Sequence, residues 1–186
     1  LDALLACLDE LKIAIEHLRA PVIITARSPQ EGGMNHLPIP RRRSLLLEFL
    51  GRAAYVDVEL QAAQSLAPVL RSASAAGVRT ILSFHDFATT PPASDLNEML
   101  TAARSLGPNI FKVATLTDTP AQLARLLDCF ERRPRIPLVV AMGMGKLGRR
   151  SRLLLADRGC ALNYAHLGSP TAPGQLSIPE LRRALR

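Results

Sequence analysis

The chain has 186 residues, and its 48% hydrophobic and 21% charged residues are ordinary for a single globular domain. The net charge is +7, but only 4% of the residues are aromatic and tryptophan is absent, which argues against a nucleic-acid partner because base stacking needs aromatic rings. No apolar run approaches the ~18 residues that cross a bilayer, so no membrane partner is expected. The three distant cysteines contain no Cys-x-x-Cys pair, and we predict no metal site, no disulfide framework and a reducing, cytoplasmic setting.

The predicted elements alternate between helices and strands. The first is a helix whose apolar residues recur at spacings of three and four: Leu4, Leu8, Leu11, Ile15 and Leu18. Short apolar, β-branched runs then predict six strands, at residues 21–27, 54–60, 80–84, 110–115, 138–142 and 162–167. Helical patterns separate these runs, and two of them begin with the capping boxes Thr119 with Gln122 and Ser177 with Glu180.

Strands that alternate with helices predict a parallel sheet with right-handed crossovers, in either an open doubly wound sheet or a closed barrel. No G-x-G-x-x-G follows the first strand, which disfavours a dinucleotide-binding sheet. Polar residues follow the carboxyl ends of many strands, and in a barrel those ends converge on one mouth. We therefore predict an α/β fold, a (β/α)8 TIM barrel, as one domain over residues 1–186.

The N-terminal part of this barrel is expected to be incomplete. Six strands are visible, no strand precedes the first helix, and the first residue is Leu1 rather than methionine. Two further strands and one helix, about 50 residues, would bring the chain to the usual barrel size. We predict that the first two strands are missing.

Lys112 lies in the middle of the apolar run Ile110–Thr115, and lysine is rarely buried unless it is paired or functional. One alternative is a lysine at the strand edge that reaches water through its methylene stem. The other is a nucleophilic amine that forms a Schiff base with a carbonyl substrate. For that chemistry the ordinary pKa of about 10.4 would have to fall by about three units, which apolar neighbours and a nearby arginine favour.

His85 follows the run 80–84 and precedes the Lys112 strand by one strand-helix unit, so it is a candidate for proton transfer near neutral pH. A structural histidine is the alternative. Glu31, just before Gly32 and Gly33, is a candidate to orient the ring of His85, or is an ordinary loop glutamate.

Asp57 and Glu59 alternate along one strand face, so they need cationic partners, for which Arg27 and Lys112 are candidates. Most of the clustered arginines, such as Arg41 to Arg43, are predicted to be solvated.

Two loops near the C-terminus complete the candidate site. The glycine-rich segment 143–148 lacks the G-x-x-x-x-G-K-[ST] pattern of a nucleotide site, but such turns can hold phosphate, and an arginine in the following segment can clamp a carboxylate. The segment Gly168–Gln175 predicts a lid or binding loop, with an ordinary connecting turn as the alternative.

The order of these motifs resembles type I 3-dehydroquinate dehydratase. The resemblance covers nearly the whole chain and is carried by six segments: Thr25-Ala26-Arg27 with Glu31-Gly32-Gly33, Asp57-Val58-Glu59-Leu60, Ser83-Phe84-His85-Asp86-Phe87, Phe111-Lys112-Val113-Ala114-Thr115, Ala141 through Gly148 with Ser151-Arg152, and Ala172-Pro173-Gly174-Gln175. Gly143 and Thr171 depart from the family, which usually has a serine at each position. The family's Glu-x-Arg-x-Asp strand would come just before this chain begins.

The resemblance implies a hydro-lyase of the shikimate pathway that uses no cofactor and no metal, acts on the small molecule 3-dehydroquinate, and is often a homodimer. Lys112 is implied to form the Schiff base, and His85, oriented by Glu31, to transfer the protons. Substrate contacts are implied for the following residues: Arg27, Arg152 as the carboxylate clamp, Met144, Thr171 and Gln175. Two alternatives stay open, a class I aldolase that acts on phosphosugars and an inactive barrel that serves as a binding module.

Overall fold

Helices and strands alternate along the chain in the computed structural model, which describes residues 8–132 and 138–185. The strands are β1 (Ile23–Thr25), β2 (Tyr55–Glu59), β3 (Arg79–Asp86), β4 (Ile110–Leu116) and β5 (Leu138–Met144). The α-helices are α1 (Leu8–His17), α2 (Ile39–Phe49), α3 (Ala67–Ala75), α4 (Ala93–Leu106), α5 (Pro120–Glu131), α6 (Gly148–Asp157) and α7 (Ile178–Ala184). Short 3-10 helices occur at Pro29–Glu31, Leu50–Arg52 and Leu60–Ala62.

The chain divides into two compact units, Leu1–Ser83 and Phe84–Arg186. In the first unit, β1 pairs in parallel with β2, and β2 pairs in parallel with β3. Four of the five residues of β2 are buried, because both of its faces are covered, as its nearly continuous apolar run predicts. Parallel pairing places the carboxyl ends of β1 and β2 along the same edge of the first unit. The single domain over residues 1–186 stays a prediction.

In the second unit, β4 and β5 pair in parallel over seven residues each, with Ile110 opposite Leu138 and Leu116 opposite Met144. Helices α5 and α6 both pack against β5. The amphipathic stripe of α5 is buried, including Phe130, which has no exposed surface. Burial of such large apolar side chains stabilises this unit by about 1.5–3 kcal/mol each.

Five of the six predicted strands are present, with ends at most two residues from those predicted. The sixth, residues 162–167, is wrong as a strand, because the backbone there forms an isolated bridge between His166 and Ser177. The N–H of His166 donates to Leu176 and its carbonyl accepts from Ile178. The carbonyl of Tyr164 instead accepts from the guanidinium of Arg152 at 3.0 Å. The backbone groups of Tyr164 and His166, which would pair with a neighbouring strand, are thus hydrogen-bonded to a side chain and to the segment 176–178.

The helix predictions agree with the structure. The first helix is confirmed over Leu8–His17, whereas Leu4 lies outside the described residues. Both capping boxes are present at the starts of α5 and α7, with the hydroxyl of each cap accepting from the backbone three residues on. In the described ranges, no helix is long and apolar enough to span a membrane.

Arg42 is an exception among the clustered arginines, most of which are predicted to be solvated, because it is only 5% exposed. Its guanidinium forms a close ion pair with Glu59 and donates to the carbonyl of Ala26 at 2.6 Å. Glu59 also accepts from the backbone N–H of Ser28 at 2.5 Å. Arg42 therefore supplies the cation that the acidic strand requires, because an unpaired buried carboxylate is costly.

Replacing Arg42 with methionine should destabilise the protein by about 3–5 kcal/mol, because Glu59 would stay buried without its cation. Urea unfolding followed by circular dichroism measures this change. The control is Arg43→Met, which alters an exposed neighbour on the same helix and should change stability by about 0.5 kcal/mol or less. Equal effects of the two substitutions would contradict the assigned role of Arg42.

Candidate active site

In the first unit, Arg27 is held at the carboxyl end of β1 by residues from the two following strands. Its Nη2 lies 3.0 Å from Oδ2 of Asp57, and its Nη1 donates to the hydroxyl of Ser83 at 2.6 Å. That hydroxyl in turn donates to Oδ1 of Asp57 at 2.6 Å. Because the contacts form a closed ring, the guanidinium has one preferred orientation. The predicted pairing of Asp57 with Arg27 is therefore present.

Glu31 follows Arg27 by one turn and is 5% exposed. Its Oε2 lies 3.7 Å from Nη1 of Arg27, within ion-pair distance. Glycine at position 33 permits this tight turn, because a Cβ there would lie 2.1 Å from the carbonyl oxygen of Arg27. The Glu-Gly-Gly segment thus places a carboxylate beside a predicted substrate-binding arginine. The role of Glu31 in orienting His85 stays a prediction.

In the second unit, Lys112 is the central feature. It is 6% exposed within β4, so it is not the water-reaching edge lysine of the alternative interpretation. Its Nζ lies over the ring of Tyr164, 4.6 Å from the ring centroid. A cation over an aromatic face gains about 0.5–2 kcal/mol, which offsets part of the cost of burying the charge.

Arg152, on α6, is anchored beside the same tyrosine. Its Nη1 donates to the carbonyl oxygen of Tyr164 at 3.0 Å, and its Nε donates to the carbonyl oxygen of Gly143 at 3.2 Å. Burial lowers the pKa of Arg152 to about 10, and the guanidinium therefore stays charged near pH 7. A buried, backbone-anchored guanidinium suits the recognition of a carboxylate.

Two methionines share a strand face with Lys112. Lys112 is opposite Val140 in the register of β4 and β5, and residues at even positions alternate onto the same side. Met142 and Met144 therefore lie on the Lys112 side of β5, and both are buried. Met142 Sδ is 3.9 Å from Nη1 of Arg152. These flexible, apolar thioethers therefore line the side of the sheet on which Lys112 lies.

His85 lies at the carboxyl end of β3, is half-buried, and belongs to the same unit as Lys112. The next residue, Asp86, fixes the end of the strand, because its Oδ1 accepts from the backbone N–H groups of Ala88 and Thr89 at 2.8 and 2.9 Å. The position at the strand end is the one predicted for a proton-transferring histidine.

In the glycine-rich turn after β5, the backbone N–H groups of residues 145–148 are hydrogen-bonded to other groups of the protein. The N–H of Gly145 donates to Pro173, that of Lys146 to the carboxylate of Asp118, and that of Leu147 to Thr117, all at 2.7–3.0 Å. Gly148 N–H donates back to Gly145. Because each of these groups is already bonded, the turn does not offer the backbone cradle that a phosphate requires.

The loop 168–175 is seated on this turn. Gly174 has a φ of +81°, and a Cβ there would lie 2.9 Å from both the carbonyl oxygen of Gly145 and the Cα of Gly148. Within the loop, the N–H and the hydroxyl of Thr171 donate to Oε1 of Gln175 at 2.8 and 3.0 Å. The two residues predicted to contact substrate are thus brought together by a shared hydrogen-bonded turn.

The glycine at position 143 has a local explanation. Its N–H donates to the hydroxyl of Ser151 at 2.9 Å, and that hydroxyl donates to the carbonyl of Gly148 at 2.7 Å. A Cβ at position 143 would lie 2.3 Å from Oγ of Ser151 and 2.8 Å from Oγ1 of Thr117. The hydroxyl of Ser151 therefore fills the space that a serine side chain at position 143 would use.

Sequence reasoning missed Ser83 and Tyr164. Ser83 alternates with His85 along one strand, and this spacing indicates a polar residue on the same face. Tyr164 lies in the run 162–167 that predicts a strand, and nothing in the local pattern pairs it with Lys112. Among the described residues, no group of three histidine, cysteine, aspartate or glutamate side chains is arranged to hold a metal ion.

Comparison with protein families gives a match over the whole chain: the model described as type I 3-dehydroquinase matches residues 1–186. The 3-dehydroquinate dehydratase of Thermococcus gammatolerans is 36% identical over 165 residues, which cover 88% of this chain and 75% of that protein. The 3-dehydroquinate dehydratase of Klebsiella pneumoniae is 32% identical over 188 residues, which cover 97% of this chain and 74% of that protein.

Two solved structures are similar in fold. The crystal structure of type I 3-dehydroquinate dehydratase from Clostridium difficile with covalent modified comenic acid superposes with a TM-score of 0.85 at 29% identity, covering 95% of this chain and 74% of that one. The 3-dehydroquinate dehydratase from Aquifex aeolicus gives a TM-score of 0.82 at 28% identity, covering 95% of this chain and 79% of that one. The predicted α/β barrel fold is confirmed.

Substituting Gly174 with alanine should release the loop 168–175 from its seat. The left-handed backbone costs a non-glycine residue about 1–2 kcal/mol, so proteolytic cleavage within the loop should accelerate about 5- to 30-fold. Limited proteolysis with mass spectrometry of the fragments measures the rate. Gly168→Ala is the matched control, because a Cβ at that position meets no atom within 4 Å. Unchanged cleavage in the Gly174 variant would show that the loop is held by other contacts.

Proposed function

The chain belongs to the type I 3-dehydroquinase family, and from this premise we propose that it is a 3-dehydroquinate dehydratase, a hydro-lyase of the shikimate pathway that converts 3-dehydroquinate to 3-dehydroshikimate. One observation carries the proposal: Lys112 is buried in β4 with its Nζ over the ring of Tyr164, and the backbone carbonyl of that tyrosine anchors the guanidinium of Arg152. This places an amine nucleophile and a carboxylate-binding group around one aromatic residue.

In the proposed reaction, the neutral amine of Lys112 attacks the ketone carbon of the substrate. The C–N bond forms, and the carbonyl oxygen takes the two amine protons and leaves as water. A proton from solvent, which is released again when the imine is hydrolysed, gives the protonated imine. That cation makes the neighbouring C2 proton acidic, because the electron pair released on deprotonation is delocalised into the imine as an enamine. Loss of the C1 hydroxyl as water then creates the double bond, and hydrolysis of the imine returns the amine and the conjugated enone.

His85 is proposed to carry the protons. As a general base it would remove the C2 proton, and as a general acid it would return that proton to the leaving C1 hydroxyl, so its own charge is restored over the cycle. The proposal is supported by its position at the carboxyl end of β3, where half-burial keeps the ring accessible. Glu31 is proposed to orient the ring.

Five residues are proposed to bind the substrate: Arg27, Met144, Arg152, Thr171 and Gln175. Arg152 suits the carboxylate, since its charge is buried and its orientation is fixed by two backbone carbonyls. Arg27 suits a hydroxyl or ketone oxygen, because Asp57 and Ser83 already satisfy part of its guanidinium. Thr171 and Gln175 would contact the substrate from the loop that is seated on the glycine turn.

The alternative of a phosphosugar aldolase is disfavoured by the glycine turn after β5. A phosphate group would need the N–H groups of this turn, and those of Gly145, Lys146 and Leu147 donate to other groups of the protein. The groups that Arg152 bonds in the protein are backbone carbonyls, which leave its positive charge able to attract a substrate carboxylate. The substrate expected for this site is therefore a hydroxylated keto acid without phosphate.

The assembly and setting are proposed as follows. We infer a single barrel domain over residues 1–186 and a cytoplasmic enzyme that works without a cofactor. A homodimer is proposed by analogy with the family. Size-exclusion chromatography with light scattering tests the dimer.

Lys112→Met should abolish formation of the conjugated enone from 3-dehydroquinate, because no other group takes the place of the imine-forming amine. The ultraviolet absorbance of the enone follows the reaction directly. Lys146→Met is the matched control, since Lys146 is exposed and lies outside the strand face of Lys112, and its activity should stay within about twofold of the unsubstituted protein. If the unsubstituted protein forms no enone, the proposed function is wrong and a binding module is favoured.

A further inference from the structure

Tyr164 lies between the two charged groups of the proposed site. Its ring face is 4.6 Å from Nζ of Lys112, measured to the ring centroid, while its backbone carbonyl accepts from Nη1 of Arg152 at 3.0 Å. The segment that carries Tyr164 is held in turn by Cys160 and His166: the carbonyl of Cys160 accepts from Asn163, and the backbone of His166 bonds on both sides to the segment 176–178. The backbone of this segment is thus held by contacts that do not involve Lys112.

The two cationic states of Lys112 differ in what they need from their surroundings. An ammonium group has three N–H donors that carbonyl oxygens can satisfy. The protonated imine of a ketone has one N–H, and its charge is spread over a flat C=N unit. A flat cation with few donors depends more on a π face, which stabilises charge without accepting a hydrogen bond. A ring held over Nζ therefore favours the imine over the ammonium.

We propose that Tyr164 is a positioning residue that holds Nζ of Lys112 against its ring face and stabilises the protonated imine, while its backbone carbonyl sets Arg152 at a fixed distance from that imine. The inference rests on the proposed dehydratase function and adds a residue to it. The π face is the active part of the side chain, and the hydroxyl is not required. The ring contact acts on the chemical step, because it is made with the reacting nitrogen rather than with the substrate carboxylate.

Two substitutions separate the ring from the hydroxyl. Tyr164→Leu removes the π face, and kcat for enone formation should fall about 3- to 30-fold. The KM for 3-dehydroquinate should change by less than about threefold, because the backbone carbonyl that anchors Arg152 is kept. Tyr164→Phe keeps the ring and should recover most of the lost kcat. Tyr55→Leu is the matched control: it removes the other tyrosine, whose ring lies 4.5 Å from the guanidinium carbon of Arg79, and should leave kcat within about twofold.

The measurements are steady-state kinetics at saturating and limiting substrate on the intact protein, with thermal unfolding of each variant to compare folded fractions. A fall in kcat for Tyr164→Leu with recovery in Tyr164→Phe supports the inference. Equal kcat in the leucine and unsubstituted proteins overturns it, and so does an equal loss in the phenylalanine variant, which would assign the role to the hydroxyl. A rise in KM with unchanged kcat overturns it as well. Failure of the proposed function is distinguishable, because the unsubstituted protein would then form no enone.

Discussion

The burial of the Lys112 amine is the constraint on which the arrangement of the candidate site in the second unit depends. Moving an ammonium out of water is costly, so a lysine that is 6% exposed needs compensating groups or a reason to be neutral. Tyr164 meets part of that need with its ring face, which stabilises a positive charge on the nitrogen. The strand residues around it are buried as well, from Ile110 to Thr115 in β4 and from Val139 to Met144 in β5.

The guanidinium of Arg152 is held in place by backbone carbonyls rather than by carboxylates. Arg152 donates to the carbonyls of Gly143 and Tyr164, and within residues 8–132 and 138–185 no carboxylate forms an ion pair with it, so its charge is available to a substrate carboxylate. The first unit follows the opposite pattern. Arg27 and Arg42 are each paired with a carboxylate of β2, which fixes the orientation of both guanidinium groups.

The elements with long apolar periodicity were predictable. Strands β2 to β5 follow from continuous apolar runs, and the capping boxes of Thr119 and Ser177 mark the starts of α5 and α7. The prediction failed at residues 162–167, where the same apolar signal occurs but the backbone bonds to a loop and to Arg152. A local pattern of side chains does not reveal which groups the backbone will bond.

The residues of the candidate site also differ in how clearly the sequence indicates them. Lys112 stood out because a lysine in an apolar strand breaks the pattern of its surroundings. Arg42 shares a helix face with Leu45, Leu46 and Phe49, and that spacing indicates that it is buried. Its position between two other arginines instead favoured the prediction of a solvated cluster. The sequence does not indicate the contact of Tyr164 with Lys112, because the two residues are far apart in the chain. Tyr164 also lies in residues 162–167, which were wrongly predicted to form a strand.

The central claim is that the amine of Lys112 captures a ketone. Sodium borohydride added during turnover of 3-dehydroquinate reduces the imine to a stable secondary amine, and mass spectrometry of proteolytic peptides locates the added mass. The account predicts that the adduct lies on the peptide containing Lys112 and disappears when substrate is omitted. An adduct on another lysine, or enone formation with no adduct on Lys112, would contradict it.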